Sequence, residues 1–398
     1  MEFEVIIPGA KAEIVGHECI TVRFNKPWKT LSSAYFNGGF AKARSILNMR
    51  VPRNYDHKDP DGDIRRTIEK LGLPKPVIGM MTAVNMENVA VVNKEDEEGK
   101  LAVTAIVTSG ISNAATAGER PRFPALEGTI NVILLVDGNF SFGGLVGSVM
   151  VATEAKTVAL RELDIQSFSM DSTYDLSTNL ASGTTTDSVT VSCTGKGERI
   201  DFNTTGIEIG RLIGLATKEG VLEGINKQEK MTPERPLLER LEERGITVDF
   251  LIQIADDHCF PLFFGRDRGY FNYEEEVFKK ELRDVLYKNR RVSSLVIAGL
   301  GLEDDWEKSE LIPPDEEILI QRGIDGGTYR DPAIVFGELI AEYIGGLRGL
   351  QLYKQSINII KLLEEQPFIE DITPKMYYIL LGIVGGTMGR LDQKMPYK

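Results

Sequence analysis

Asn226-Lys227-Gln228-Glu229-Lys230-Met231-Thr232-Pro233-Glu234-Arg235-Pro236 divides this chain in two. The stretch is polar, densely charged and broken by two prolines, which is the signature of a linker and not of a packed element. At 398 residues the chain is too long for one ordinary core, so a division is expected. Upstream, the sequence is rich in Gly, Thr, Ser and Asn. β-Branched runs at Val89–Val92, Ala102–Thr108, Thr129–Val136 and Val189–Cys193 read as buried strands. Helical spacing appears at Ala34–Leu47, Thr153–Leu163 and Ile209–Gly224. That mixture predicts a layered α+β domain over residues 1–228. Downstream of a linker at 229–236, the texture changes. Apolar residues recur at helical spacing in Leu237–Leu241, Val277–Leu286, Ile334–Leu347, Ile357–Leu363 and Met376–Leu391. Asp331-Pro332 and Thr373-Pro374 each place a good cap before a proline at the first helical position. Residues 237–398 are therefore predicted to be mostly helical.

Composition narrows the function classes. Hydrophobic residues at 42% and charged residues at 26% predict folded globular domains. A net charge of −13 argues against nucleic acid, whose phosphates need a basic surface. Three cysteines, Cys19, Cys193 and Cys259, are too scattered for a disulfide framework or a zinc cage. Only His17, His57 and His258 are available to a site that needs imidazole. The acidic start MEFEVIIPGA lacks the basic region of a signal peptide. The longest charge-free apolar run, Met376–Met388, falls short of the roughly 20 residues that span a bilayer. The expectation is a cytoplasmic protein without a spanning segment, acting on small molecules, with a homo-oligomer compatible with the sequence.

The upstream half carries unusual polar loops: Phe36-Asn37-Gly38-Gly39, Thr108 through Ala114, Gly118-Glu119, Gly128-Thr129-Ile130-Asn131, Thr153 through Thr157, and Ser182 through Asp187. Each sets small, hydroxyl or amide residues at the end of a strand or the start of a helix, where backbone N–H groups meet polar ligands. Any one of them also reads as a tight turn or helix cap. In this order, the run GISNA, AGE, GTIN, TEAKT and SGTTTD resembles the adenosylcobinamide amidohydrolases of archaeal corrinoid salvage. The resemblance spans nearly all of residues 30–225. It implies hydrolysis of the amide joining aminopropanol to the corrin ring, which releases adenosylcobyric acid. Thr185, where many relatives carry glycine, and the insertion-like Met170–Thr178 depart from the pattern.

Amide hydrolysis needs a nucleophile, a base, oxyanion donors and an acid for the leaving amine. Gly110-Ile111-Ser112-Asn113-Ala114 looks like a nucleophile elbow, yet no histidine follows Ser112 in this half, so a standard triad order fails. Lys156, early in a helix, is a candidate base if burial neutralises it. Glu154, two residues before it, does not share its helix face. Glu119 and Asp187 are candidate bases or water-orienting carboxylates, with Asp187 also readable as a cap. Asn113 and Asn131 offer neutral amides for an oxyanion or for corrin amides, and Asn37, Ser112, Thr184 and Thr186 offer further polar contacts. No cofactor is assigned to this half. A corrinoid-binding protein without turnover is the alternative.

In the downstream half, Glu338 and Glu342 sit at i and i+4 among apolar neighbours, and Asp325, Glu370 and Asp371 fall in or beside helices. Such oxygen-rich sites suit Mg²⁺ bridging to a phosphate, although a solvated acidic face is the plainer reading of the glutamate pair. Arg330 and Lys354 are the basic candidates for phosphate, and His258 in Asp256-Asp257-His258-Cys259 is a candidate acid or ligand. The order of Leu241–Gly245, Val292–Leu302, Leu311-Ile312-Pro313-Pro314, Gly323-Ile324-Asp325 and Phe368-Ile369-Glu370-Asp371-Ile372 resembles the phosphatidylglycerophosphatase A fold. Within that fold it is similar to the archaeal α-ribazole-phosphate phosphatases. The resemblance implies a catalytic, metal-binding role for Asp325 and Asp371, metal binding by Glu370, and α-ribazole 5′-phosphate as substrate; Glu338, from its helix-face pair, is the further metal candidate. A lipid phosphate such as phosphatidylglycerophosphate is the alternative. Gly326 stands where relatives carry an acid. The two resemblances together imply a bifunctional amidohydrolase/phosphatase.

Overall fold

Residues 10–32 form a hairpin whose second arm is the longest strand among the described residues. Strand β1 (Ala10–Val15) turns through Gly16 and His17, both at positive φ, into β2 (Cys19–Ser32). Then follow β3 (Gly39–Arg50), α1 (Pro60–Lys70), β4 (Val77–Thr82), β5 (Ala90–Glu95), β6 (Ala102–Ser109) and β7 (Ile130–Asp137). Helix α2 (Phe142–Glu162), strand β8 (Ser188–Cys193) and helix α3 (Glu208–Glu229) complete the first unit. The computed structural model describes residues 1–55, 58–121, 128–167, 179–259, 271–288, 292–300, 332–362 and 374–394. Two compact units emerge, one ending at Pro233 and one taking up the chain from Glu234.

Seven strands of the first unit lie in the order β4-β3-β2-β8-β7-β6-β5, and β1 pairs with β2. The pairs β3–β4 and β7–β8 are parallel and the others antiparallel, giving a mixed sheet. Period-two alternation sorts β7 cleanly. Ile130, Val132, Leu134 and Val136 pack with Leu145 and Val151 of α2 and Leu212 and Ile213 of α3, while Ile133 and Leu135 face the opposite core. That opposite face is concave. Asn131 on β7 donates to Asn48 Oδ1 on β3 at 2.9 Å and to the Met81 carbonyl on β4 at 2.8 Å, although neither strand neighbours β7 in the order. The sheet therefore curls until its two halves meet across the hollow.

The strands expected at residues 89–92, 102–108, 129–136 and 189–193 are present, as are the helices expected at 153–163 and 209–224. Residues 34–47 are a correction: Gly39–Arg50 is a strand and not a helix. Its Ala, Lys and Arg residues favour helix locally, but ladders to β2 on one edge and β4 on the other fix it as strand. Ala43 and Ile46 enter the concave core while Leu47 and Met49 pack against Ile64 and Ile68 of α1, so both faces are buried and alternation is erased.

Every described element of the second unit is helical, with helices at Leu237–Glu242, Val248–Ile254, Phe271–Lys288, 292–300, Pro332–Leu362 and Pro374–Lys394. A π-helical turn, Ala255–Cys259, follows the second of these. Gly346 (φ 58°, ψ −155°) breaks the long helix, and the chain folds back there, since the Tyr353 hydroxyl donates to the Ile334 carbonyl at 3.1 Å. Glu281, on Phe271–Lys288, is buried and accepts from Lys394 at 2.6 Å and 2.7 Å and pairs with Arg390 at 2.6 Å. No described helix is long and apolar enough to cross a membrane.

Candidate active site

At one end of the curled sheet the starts of β7 and β8 and the end of β4 open into a cleft of about 390 Å³. Its wall includes Ser33, Thr82, Gly128, Thr129, Asn131, Thr186, Asp187 and Ser188. Two of the polar loops of the sequence, Gly128–Asn131 and Ser182–Asp187, thus meet at the same place, because Ser188 sits opposite Asn131 in the parallel register of β8 and β7. Asp187 is the one carboxylate among the described residues of that wall.

Asp187 is gripped from four directions. Its Oδ1 accepts from the Ile130 N–H at 3.0 Å and from the Thr184 hydroxyl. Its Oδ2 accepts from the Thr184 N–H at 2.9 Å and from the Lys156 ammonium. The side chains of Lys156 and Asp187 are only 8% and 12% exposed, so the two charges neutralise each other out of water. The pair joins helix α2 to the loop before β8. It requires Lys156 protonated, the opposite of the charge state that a base would need. Lys156 does not line the cleft; it sits behind Asp187. Gly183 is dictated by the same contact: a Cβ there would stand 2.5 Å from Asp187 Oδ2 and 2.7 Å from Lys156 Nζ.

A second layer holds the loops together. Gly183–Thr184 pairs antiparallel with Ala114–Ala115. The buried Asn113 side chain donates to Thr185 Oγ1 at 2.7 Å, and the Asn113 main-chain carbonyl accepts from the Thr185 N–H at 3.3 Å. Thr185, the departure from the family pattern, thus supplies the hydroxyl that receives Asn113. The Thr129 hydroxyl donates to the Thr186 carbonyl and the Thr186 hydroxyl to the Gly128 carbonyl, each at 2.8 Å. Asn131 spends both amide hydrogens on Asn48 and Met81, two partners that can only accept at those atoms, so its orientation is fixed. Its Oδ1 is buried at the cleft wall without a partner among the described residues. Of the two expectations for Asn131, an oxyanion donor or a contact for corrin amides, its Oδ1 suits the contact as an acceptor, since both amide hydrogens are spent.

The remaining candidates scatter. Glu119 follows the turn that Ala117 ties to Ser182 Oγ at 2.9 Å, beside the loops but off the cleft wall. Ser112 and Glu154 are exposed. Asn37 is exposed, donates to the Val77 carbonyl at 2.8 Å, and borders a separate cavity with Arg65 and Lys75. Sequence reading missed Ser33, Thr82 and Ser188. For Ser188 a signal existed, since it directly follows Asp187 at the start of a strand. The Val189 N–H donates to Ser33 Oγ at 2.9 Å, and Ser33 in turn donates to Ser188 Oγ at 3.5 Å, which leaves the Ser188 hydrogen free to point into the cleft.

In the second unit Lys354 Nζ lies 3.8 Å from Glu338 Oε1, and Glu342 is exposed. Asp325, Arg330, Glu370 and Asp371 lie outside the described residues, as do His57 and Met170–Thr178. Among the described residues no group of three or more His, Cys, Asp or Glu could hold a metal ion.

The family model for adenosylcobinamide amidohydrolases matches residues 8–233, more than half of the chain and all of the cleft. The chain belongs to the adenosylcobinamide amidohydrolase family. An adenosylcobinamide amidohydrolase of Methanosarcina mazei is 33% identical over 202 residues, covering 48% of this chain and 88% of that protein. An uncharacterised protein of Methanocaldococcus jannaschii is 28% identical over 237 residues, covering 53% of this chain and 87% of its own. A solved structure of a Pyrococcus horikoshii protein covers 55% of this chain and 83% of its own at 11% identity and a TM-score of 0.28, too slight a likeness to bear on the fold. The second unit begins where the family match ends.

Proposed function

We propose that the first unit hydrolyses the amide of adenosylcobinamide that carries aminopropanol, yielding adenosylcobyric acid and the free amine. The observation that carries this reading is the Asp187 carboxylate, fixed by Lys156 and set into a cleft of family residues. A cavity of about 390 Å³ admits the amide arm of a large ligand while the ring stays at the mouth. Asp187 takes a proton from the attacking water as the new C–O bond forms at the amide carbon. The Ser188 hydroxyl donates to the oxyanion, and Asn131 Oδ1 accepts from the substrate amide N–H and holds the arm in register. Collapse of the tetrahedral intermediate breaks the C–N bond, and the proton held by Asp187 leaves with the amine. Lys156 is a positioning residue in this scheme.

The test is turnover of adenosylcobinamide followed by the appearance of adenosylcobyric acid. Asp187→Asn is expected to lower kcat at least 100-fold, and Ser188→Ala by about 10- to 100-fold with KM little changed. Binding without product in the wild-type protein would favour a corrinoid carrier instead.

For the second unit we propose a phosphatase acting on α-ribazole 5′-phosphate, on the strength of its sequence motifs and its helical build. Lys354, 3.8 Å from Glu338 Oε1 across the fold-back at Gly346, is a described cation beside a candidate carboxylate. Of the four carboxylates expected to hold Mg²⁺, Glu338 is the one within the described residues, and Asp325, Glu370 and Asp371 would supply the rest. Phosphate release from α-ribazole phosphate and from phosphatidylglycerophosphate, each with and without EDTA, tests substrate and metal together. Equal rates of zero on both substrates would discard the phosphatase.

A further inference from the structure

A second cavity, of about 490 Å³, adjoins the amide cleft and shares Val51 and Ala83 with it. Three elements build it: the β1–β2 turn, the end of β3, and the last turn of α1. Arg50, Arg53 and Lys70 line it against a single carboxylate, Glu18. In a chain of net charge −13 such a concentration of cations runs against the average. Nearby basic groups are neutralised one by one: Arg23 by Glu13, Arg65 by Asp61, and Arg66 by Asp59 and Asp63. Arg50, Arg53 and Lys70 are ion-paired with no described carboxylate. The floor adds no negative charge. Cys19 is buried there, and burial, reinforced by Glu18, pushes its thiol up to about 11. Like charges around one hollow repel until an anion enters, and guanidinium groups match phosphate oxygens in pairs. Pro52 and Leu71 supply an apolar flank for the body that carries such a group.

We propose, on the amidohydrolase reading above, that this cavity is an anion subsite continuous with the amide cleft, selective for a phosphate group. The phosphate is either free or carried as an ester on the substrate's aminopropanol hydroxyl. Neither the family description nor the cleft chemistry requires such a site.

The full-length protein is titrated with inorganic pyrophosphate by calorimetry, and adenosylcobinamide hydrolysis is followed with and without it. Binding is expected in the wild type, weaker by at least tenfold in Arg50→Gln/Lys70→Gln, and unchanged in Arg65→Gln, whose charge Asp61 already meets. Pyrophosphate should raise the KM for adenosylcobinamide and leave kcat alone. A phosphorylated cobinamide with a KM lower than its parent's, in the wild type but not in the double variant, identifies the carried source. Equal KM values with pyrophosphate binding retained identify the free one. Affinity in the double variant equal to the wild type overturns the subsite, and a fall in kcat without a change in KM overturns its continuity with the cleft. If amide hydrolysis is absent altogether while the variant still loses pyrophosphate, the amidohydrolase reading fails and the anion site stands.

Discussion

At the scale of single residues, the Lys156–Asp187 pair decides both stability and site geometry. Removing one member leaves the other charge buried and unmatched, a loss of about 3–5 kcal/mol. Lys156→Met is expected to lower stability by that order, and Lys156→Met/Asp187→Asn to recover part of it, because the double variant buries no lone charge. Chemical denaturation of the three variants checks this, and a Lys156→Met protein as stable as the wild type would remove the clasp from the account. Cys19 allows a second prediction. Its thiol is an acid held protonated in the fold, at about 11 against an ordinary value of 9.0, with burial as the largest cause. Above pH 9 the unfolded chain releases this proton while the folded chain keeps it. Stability from Cys19 is therefore full below pH 9 and is lost as pH rises towards 11, by roughly 2–3 kcal/mol at most. The wild-type and Cys19→Ala proteins should converge in stability across that window. A difference that stays flat from pH 8 to 11 rejects the shift.

Among elements, the tightest packing in the described second unit is backbone on backbone. Pro374–Lys394 lies so close to the fold-back of Pro332–Leu362 that a Cβ on Gly382 would stand 2.6 Å from the Gly337 carbonyl oxygen. A Cβ on Gly389 would be 2.4 Å from the Gly349 Cα. Backbone cannot swing aside as a side chain can, so Gly382→Ala and Gly389→Ala should each destabilise by about 1–3 kcal/mol despite alanine's better helix propensity. Gly214→Ala on α3 is the contrast. Its nearest neighbour is Val151 Cγ1 at 3.7 Å, an ordinary contact, and stability should rise by about 0.5–1 kcal/mol there. Thermal melts of the three variants order these effects. The same distinction explains what the sequence disclosed. Strands β5 to β8 were legible because their β-branched runs mark buried strands whichever faces are covered, and helices α2 and α3 because their apolar residues recur at helical spacing. Gly39–Arg50 was not, since it has no β-branched run and its Ala, Lys and Arg residues carry misleading propensities. In the site, Asp187 and Asn131 were legible as polar residues at strand starts. Their roles depend on Lys156 and Met81, reached only by folding; Ser188 was marked only by its place next to Asp187, and Thr82 looked like an ordinary strand residue until the sheet curled.

For the whole molecule, the linker stretch proves to belong partly to the first unit. Helix α3 continues through Glu229, and beyond it Met231 packs against the core between sheet and helices. Lys227 donates to the Val89 carbonyl at 2.9 Å, and Gln228 Oε1 accepts from the Asn85 N–H at 3.3 Å and the Asn88 amide at 2.9 Å. These bonds fasten the end of α3 to the turn before β5. Pro233, by contrast, closes both the compact unit and the family match. A chain cut after Pro233 should keep amide hydrolysis within about threefold of the full-length rate. A cut after Asn226 loses three hydrogen bonds at roughly 1 kcal/mol each together with the burial of Met231, and should melt well below the longer fragment. The relatives point the same way, because this chain covers 88% of the Methanosarcina mazei enzyme with only 48% of its own length. Comparing the two fragments with the full chain in one turnover assay and one melting series separates the possibilities. If the cut after Pro233 abolishes turnover while its melt stays sharp, the second unit contributes to amide chemistry and the two halves do not act independently.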